Sequence, residues 1–83
     1  MIFKRSLTAS ATETSCTFGS STKSIEIFNQ GTADVQVGWD ENVTAHSTYI
    51  ESGTGFVISE QVRILYFKTA TNSTTVYITA TLN

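Results

Sequence analysis

Apolar and polar residues alternate with a period of two along much of this chain. In the stretch SIEIFN, Ile25 and Ile27 fall on one face, and the residues between them fall on the other. In DVQVGWD, Val35, Val37 and Trp39 likewise share one face. Strict alternation is the signature of a half-buried β-strand. Both stretches are therefore predicted strands, and the phase of Trp39 places it in the core.

The segment NQGTA between these two stretches predicts a β-hairpin. Gly31 can take the positive φ that a short hairpin loop needs. We therefore expect the two strands of residues 24–40 to pair directly with each other, with one face in the core and one face in water.

Further short strands are predicted on both sides of this segment. TYIE, FVISE, VRILYFK and TVYITATL follow it in order, and Gly53 and Gly55 mark a turn. At the start of the chain, MIFKRSLTA predicts an edge strand with Phe3, Leu7 and Ala9 inward, and SATETSCTF predicts another strand. Seven or eight closely spaced strands predict an all-β fold, a small antiparallel sandwich or barrel.

Length and composition favour one small domain spanning residues 1–83, with residues 1–23 as an N-terminal arm or edge strands. Ser and Thr supply nearly a third of the residues, and only 14% of the residues are charged. Branched side chains such as Thr suit a pleated sheet. A chain of this size buries a thin core, so we expect any binding site to be a surface groove or a seam between copies.

The segment VRILYFK is apolar on both faces. Val62, Ile64 and Tyr66 share the predicted core face, and Leu65 and Phe67 lie opposite. A strand that is apolar on both faces is covered on both, here either by the N-terminal segment or by another copy of the chain. The candidate interface residues are Leu65, Phe67 and Tyr77.

No motif for catalysis or metal binding emerges from the titratable residues. The one histidine, His46, lies in an irregular segment, and its sequence neighbours Asp40 and Ser47 do not define a triad, because triads are assembled by the fold. The acidic stretch WDEN lacks the ligand spacing of a Ca²⁺-binding loop. We therefore predict no enzymatic activity, no cofactor and no required metal.

Charge and hydropathy argue against two classes of partner. The net charge is −2, and the five basic residues are scattered along the chain, whereas nucleic-acid-binding domains cluster Lys and Arg. No stretch has the length of a membrane span, and no signal peptide is recognisable. We expect no nucleic acid and no membrane as partners, and synthesis in a cytoplasm.

The stretch SIEIFNQGTADVQVGWDENVTA, followed by TYIESGTGFVI and a final pair of strands, resembles small bacteriophage virion proteins of the head-decoration, head-fibre or tail-associated type. In these proteins an apolar strand runs into an Asn-x-Gly turn, a D-V-x-V-G-aromatic strand and a VT corner. The order covers residues 24–82. The resemblance implies a non-enzymatic structural protein that decorates or stabilises a phage particle. It would be made in the host bacterial cytoplasm and located in the virion.

The resemblance also implies partners. We expect a homo-oligomer, a trimer first and a dimer second, and docking on the major capsid protein or another virion protein. Two alternatives stay open. One is a carbohydrate- or receptor-binding module, in which Tyr49 and His46 form the ligand platform, and the other is a small phage protein that binds a host partner.

Overall fold

A computed structural model describes residues 1–39 and 48–83 and shows eight β-strands and no helix among them. The strands are, in chain order, β1 (Ile2–Ala9), β2 (Thr14–Thr17), β3 (Thr22–Asn29), β4 (Val35–Trp39), β5 (Thr48–Ile50), β6 (Gly55–Ile58), β7 (Ile64–Lys68) and β8 (Thr74–Leu82). The predicted all-β fold with seven or eight short strands is confirmed.

The strands form two four-stranded antiparallel sheets with the orders β1-β8-β3-β6 and β2-β7-β4-β5. Successive strands belong to alternate sheets, except that β4 and β5 pair directly. The chain therefore crosses from sheet to sheet at almost every connection, and the core is the layer of side chains between the two sheets.

Alternation along the strands decides which side chains enter this core. Ile25 and Ile27 on β3, and Val35 and Val37 on β4, are buried, as the pattern predicts. On β8 the same rule holds for every second residue from 76 to 82. Each sheet thus has one apolar face, and the two faces cover each other.

The predicted hairpin around Gly31 is wrong, because β3 and β4 lie in different sheets. β3 pairs with β8 and β6, whereas β4 pairs with β7 and β5. Alternation specifies which face of a strand is buried, but it does not specify which other strand pairs with it. Here the apolar faces of β3 and β4 lie across the core from each other, so residues 30–34 form an arch between the sheets.

The side-chain amide of Asn29 holds this arch. Asn29 is completely buried at the end of β3. Its Nδ2 donates to the carbonyl oxygens of Ala33, at 2.8 Å, and Ile50, at 3.0 Å. Its Oδ1 accepts from the backbone N–H of Gly31, at 3.3 Å, and from Thr74 Oγ1, at 2.6 Å. One amide thus joins β3 and β8 of one sheet to β5 of the other, with both donors and both acceptor sites used.

Gly31 is required for space and not for its φ angle. The positive φ occurs at Gly53 instead, at 77°, in the turn between β5 and β6. A Cβ on Gly31 would lie 2.8 Å from the Cα of Thr74. The arch therefore packs against the start of β8 too closely for any side chain.

The predicted orientation of β7 is wrong, and Leu65 and Phe67 lie in the core with no exposed surface. The chain bends just before β7, which begins at Ile64, so the alternation does not continue from Val62 into the strand. Ile64 and Tyr66 face outward as a result. Leu65 and Phe67 need no cover from another copy, and their assignment to an interface is wrong.

An aromatic pair closes each open side of the sandwich. Phe3 on β1 meets Phe18, which follows β2, edge to face with ring centres 5.0 Å apart. Trp39 on β4 meets Phe56 on β6 with ring centres 6.4 Å apart, and its indole N–H donates to Glu60 Oε2 at 3.0 Å. The predicted inward orientation of Trp39 is confirmed, although the ring lies at the core margin and is half-buried.

The N-terminal residues supply one edge strand to each sheet. β1 pairs with β8 along its whole length, from Ile2 opposite Thr81 to Ala9 opposite Thr74. β2 pairs with β7. The inward positions predicted for β1 are confirmed, because Phe3 packs on the core and Ala9 is buried.

Asn29→Asp tests the amide at the arch. The change is nearly isosteric, but it turns the Nδ2 donor into an oxygen facing the Ala33 and Ile50 carbonyls. We expect a loss of at least about 3 kcal/mol of unfolding free energy in urea at pH 7, because buried polar groups lose their partners. Gln30→Glu, the same change at the exposed neighbour, should shift it by less than about 0.5 kcal/mol. Equal shifts in the two variants would contradict the role of the amide.

Gly31→Ala tests the close approach to Thr74. Since the added methyl meets a backbone atom as well as a side chain, we expect a loss of about 1–3 kcal/mol, which is typical of overpacking. Gly19→Ala is the matched control, because nothing lies within 4 Å of its Cβ position. Thermal melts of the two variants make the comparison, and a Gly31→Ala protein as stable as Gly19→Ala would refute the packing.

Candidate functional site

Apolar side chains fill the space between the sheets. The buried apolar residues are Ala9, Cys16, Phe18, Ile25, Ile27, Val35, Val37, Ile50, Ile58, Val62, Leu65, Phe67, Val76, Ile78, Ala80 and Leu82. They come from both sheets and form one cluster. The interior is therefore a packed core in the described part of the chain, and chemistry has to be sought at its surface.

The other buried polar side chains, apart from Asn29, offer no site for chemistry. Thr22 Oγ1 donates to the carbonyl of Glu60 at 2.9 Å and accepts from the backbone N–H of Val62 at 3.0 Å. It thereby ties the start of β3 to the segment that precedes β7. The hydroxyl of Thr69 is buried and has no hydrogen-bond partner among the described residues. A single hydroxyl is not a catalytic or metal-binding set.

Cys16 is the one cysteine, and it is buried on β2. Burial raises the pKa of its thiol, and the nearby Arg5 guanidinium opposes that shift by its charge and by a hydrogen bond. The thiol is the protonated form at neutral pH and is shielded from solvent, so it lacks the thiolate character of a nucleophile.

Within residues 1–39 and 48–83, no three His, Cys, Asp or Glu side chains lie close enough together to hold a metal ion. Asp34, the acidic residue of the arch, accepts a hydrogen bond from the backbone N–H of Ser52 at 3.1 Å. His46 and Asp40 lie outside the described residues, as does the rest of the acidic stretch after Trp39.

The outward-facing residues of β1, β8, β3 and β6 form a broad exposed surface, called here the Tyr77 face. Its members are Ile2, Lys4, Ser6, Ser24, Glu26, Phe28, Gly55, Val57, Tyr77, Thr79 and Thr81. Of the six large apolar residues exposed in the described part of the chain, four lie on this face. They are Ile2, Phe28, Val57 and Tyr77.

Two grooves flank Tyr77 on this face. One, with a volume of about 240 Å³, lies towards Phe28 and is also lined by Glu26 and Val57. The other, with a volume of about 280 Å³, lies towards Lys4. Tyr77 is 45% exposed and lines both grooves. The surface is thus a ridge with a groove on either side, and not an enclosed pocket.

Sequence reasoning selected Tyr77 and missed Phe28 and Val57. The signal for Phe28 was an aromatic residue on the polar face of an alternating strand. Pairing places it beside Tyr77 and opposite Gly55, where an added Cβ would lie 3.7 Å from the Phe28 ring. Cover of a glycine by a cross-strand aromatic ring is a structural role, but it leaves Phe28 exposed over much of its surface.

The outer face of the other sheet carries Tyr49, which is 68% exposed and pairs with Gln36. Tyr66 on the same face is half-buried and lies opposite Gly38. The predicted ligand platform of Tyr49 and His46 stays a prediction, because His46 lies outside the described residues.

No family model matches this chain, and no curated protein matches its sequence. Solved structures do match its fold. The cupin-2 domain of an XRE family transcriptional regulator from Enterobacter cloacae matches with a TM-score of 0.69 and 8% identity over 99% of this chain and 82% of that one. A cupin-2 domain protein from Shewanella frigidimarina matches with a TM-score of 0.60 and 10% identity over 94% and 68%. The chain shares the fold of these cupin domains.

A third structure with this fold was solved with iron. HppE, solved with FeII and substrate, has a TM-score of 0.64 and 7% identity, and the match covers 95% of this chain and 45% of HppE. This fold therefore occurs both in a protein solved with substrate and in a transcriptional regulator. The prediction that this chain is not an enzyme stays a prediction.

The predicted virion function and virion location are wrong, because the matching folds are those of cupin-domain proteins. The alternating strands and glycine turns that carried the resemblance are shared by many antiparallel β-proteins, so they did not discriminate between them. Within the described ranges, no helix is long and apolar enough to cross a membrane.

The described residues do not fit an iron ion of the kind bound by HppE. Iron sites of this kind use His and carboxylate ligands, whereas the buried residues described here are apolar residues, Cys16, one Asn and three Thr, with no His, Asp or Glu among them. The amide of Asn29 and the hydroxyl of Thr22 are engaged by the protein.

Removal or addition of metal should leave stability unchanged. We expect the same melting temperature in EDTA, in Ca²⁺ and in anaerobic Fe²⁺, because the described residues offer no ligand set and a ligand raises stability only by binding the folded state. Differential scanning calorimetry makes the comparison. A rise of several degrees with either ion would locate a site that includes residues 40–47.

Proposed function

We propose that this chain is a non-catalytic module of cupin fold that acts by self-association through the Tyr77 face. The observation that carries the proposal is the placement of exposed apolar residues. Four of the six large ones in the described part of the chain share one sheet face. Three of the four, Phe28, Val57 and Tyr77, line one groove, and exposed apolar patches mark interaction sites on soluble proteins.

The packed interior supports the non-catalytic part of the proposal. An active site needs a cavity with convergent polar groups, and the space between the sheets holds apolar side chains instead. The polar groups buried there, such as Asn29 and Thr22, make structural hydrogen bonds. This leaves binding as the activity that the described residues support best.

A second copy of the chain is the occupant that suits the Tyr77 face. The outward residues of the face include one of each charge, Lys4 and Glu26, so these two can complement each other between two copies. A sheet face that packs on its own copy closes with a two-fold axis. We therefore propose a dimer in place of the trimer that the resemblance implied.

Tyr77→Asp tests the proposal by adding a charge at the centre of the face. We expect sedimentation velocity to show a mass near that of one chain, because a buried unpaired carboxylate opposes association. Tyr49→Asp is the matched control on the outer face of the other sheet, and it should keep the dimer. Circular dichroism verifies the β-structure of both variants.

If Tyr77→Asp fails to fold, Tyr77→Thr replaces it, since Thr already occupies three other outward positions on β8. It should weaken the dimer by removing apolar contact. A dimer unaffected by Tyr77→Thr, or lost equally in Tyr49→Asp, would overturn the assignment of the contact surface to the Tyr77 face.

A further inference from the structure

We infer that two copies meet about a two-fold axis that runs along β8, so that Lys4 of each copy lies opposite Glu26 of the other. This arrangement rests on the proposed self-association and specifies its register. It follows from the cross-strand pairing of the Tyr77 face, in which β8 has β1 on one side and β3 on the other.

The charged residues flank one threonine of β8. Lys4 on β1 and Glu26 on β3 both pair with Thr79. Neighbouring strands are about 4.8 Å apart, so the two charged residues stand on either side of Thr79 at equal distances. An axis along β8 exchanges the two sides, and each ammonium group then faces a carboxylate of the other copy.

The next row along the sheet is complementary in size. Ser6 and Phe28 both pair with Tyr77. The same axis places the large exposed ring of Phe28 against the small side chain of Ser6 of the second copy. The groove between Tyr77 and the β1 side supplies the space for that ring.

The third row repeats the size complementarity in the opposite order. Ile2 and Ser24 both pair with Thr81. The axis along β8 brings the exposed Ile2 over Ser24 of the second copy. On the β1 and β3 sides of the axis, all three rows therefore place unlike partners opposite each other, by charge in one row and by size in two, whereas Tyr77, Thr79 and Thr81 on the axis meet their own copies.

Neither neighbouring strand serves as the axis. An axis along β3 would place Glu26 opposite Glu26 of the second copy, and an axis along β1 would do the same for Lys4. Like charges brought together at an interface oppose association. Among the described residues, neither Lys4 nor Glu26 has an ion-pair partner.

Charge reversal tests this register. Lys4→Glu and Glu26→Lys each replace two attractive contacts by two repulsive ones, so each should raise the dimer dissociation constant by about tenfold or more. The double reversal restores opposite charges and should return it close to the original value. Lys68→Glu, on the outer face of the other sheet, controls for the change in net charge.

Cross-linking provides a second measurement. Residue 79 lies on the axis, so the residue 79 side chains of the two copies lie next to each other. A short bis-maleimide should therefore link two copies of Thr79→Cys. Gln36→Cys, on the outer face of the other sheet, should not cross-link. The unmodified chain controls for Cys16, which is buried.

The outcomes separate the register from self-association. A dimer in which the double reversal does not recover, or in which Thr79→Cys fails to cross-link, overturns the β8 axis and leaves the proposed function standing. An unmodified chain that stays monomeric at high concentration overturns both. Recovery in the double reversal together with cross-linking at Thr79→Cys supports both.

Discussion

The buried amide of Asn29 is the interaction on which the rest of the fold depends. Apolar packing between two sheets is non-directional, so it does not determine where the chain passes from one sheet to the other. The amide does, because its four hydrogen bonds join β3, β8, β5 and the arch. It also fixes the pairing of β3 with β8, in which Asn29 lies opposite Val76 and Phe28 lies opposite Tyr77. The Tyr77 face is a consequence of that register.

Because the interior is filled with side chains, we propose that function lies on the outside of the sandwich. Leu65 and Phe67 occupy the space between the sheets, where a ligand-binding relative of this fold would need room and polar groups. The fold is thus kept while its interior serves stability. The outer sheet faces are left for recognition, and one of them carries four of the six large apolar residues that are exposed in the described part of the chain.

Local sequence patterns predicted well which face of each strand is buried, but they predicted poorly which strands pair with each other. The strands, the burial of Ile25 and Val35 and the exposure of Tyr77 all follow from alternation, which is a property of neighbouring residues. The pairing of β3 with β8 joins residues that are 47 (Asn29 and Val76) to 60 (Thr22 and Leu82) positions apart, which no local pattern encodes, so the predicted hairpin was wrong. The bend before Ile64 interrupts the alternation, so the face of β7 that is buried is the opposite of the one predicted. The complementary rows of the Tyr77 face need the register of three distant strands, and the sequence does not display it.

Native mass spectrometry of the unmodified chain, taken through a concentration series after exposure to Fe²⁺, tests the central claim most directly. A packed interior and a self-complementary outer face predict twice the mass of one chain at high concentration, with no added metal mass. The mass of a single chain at every concentration, or a metal ion retained by each chain, would contradict the account.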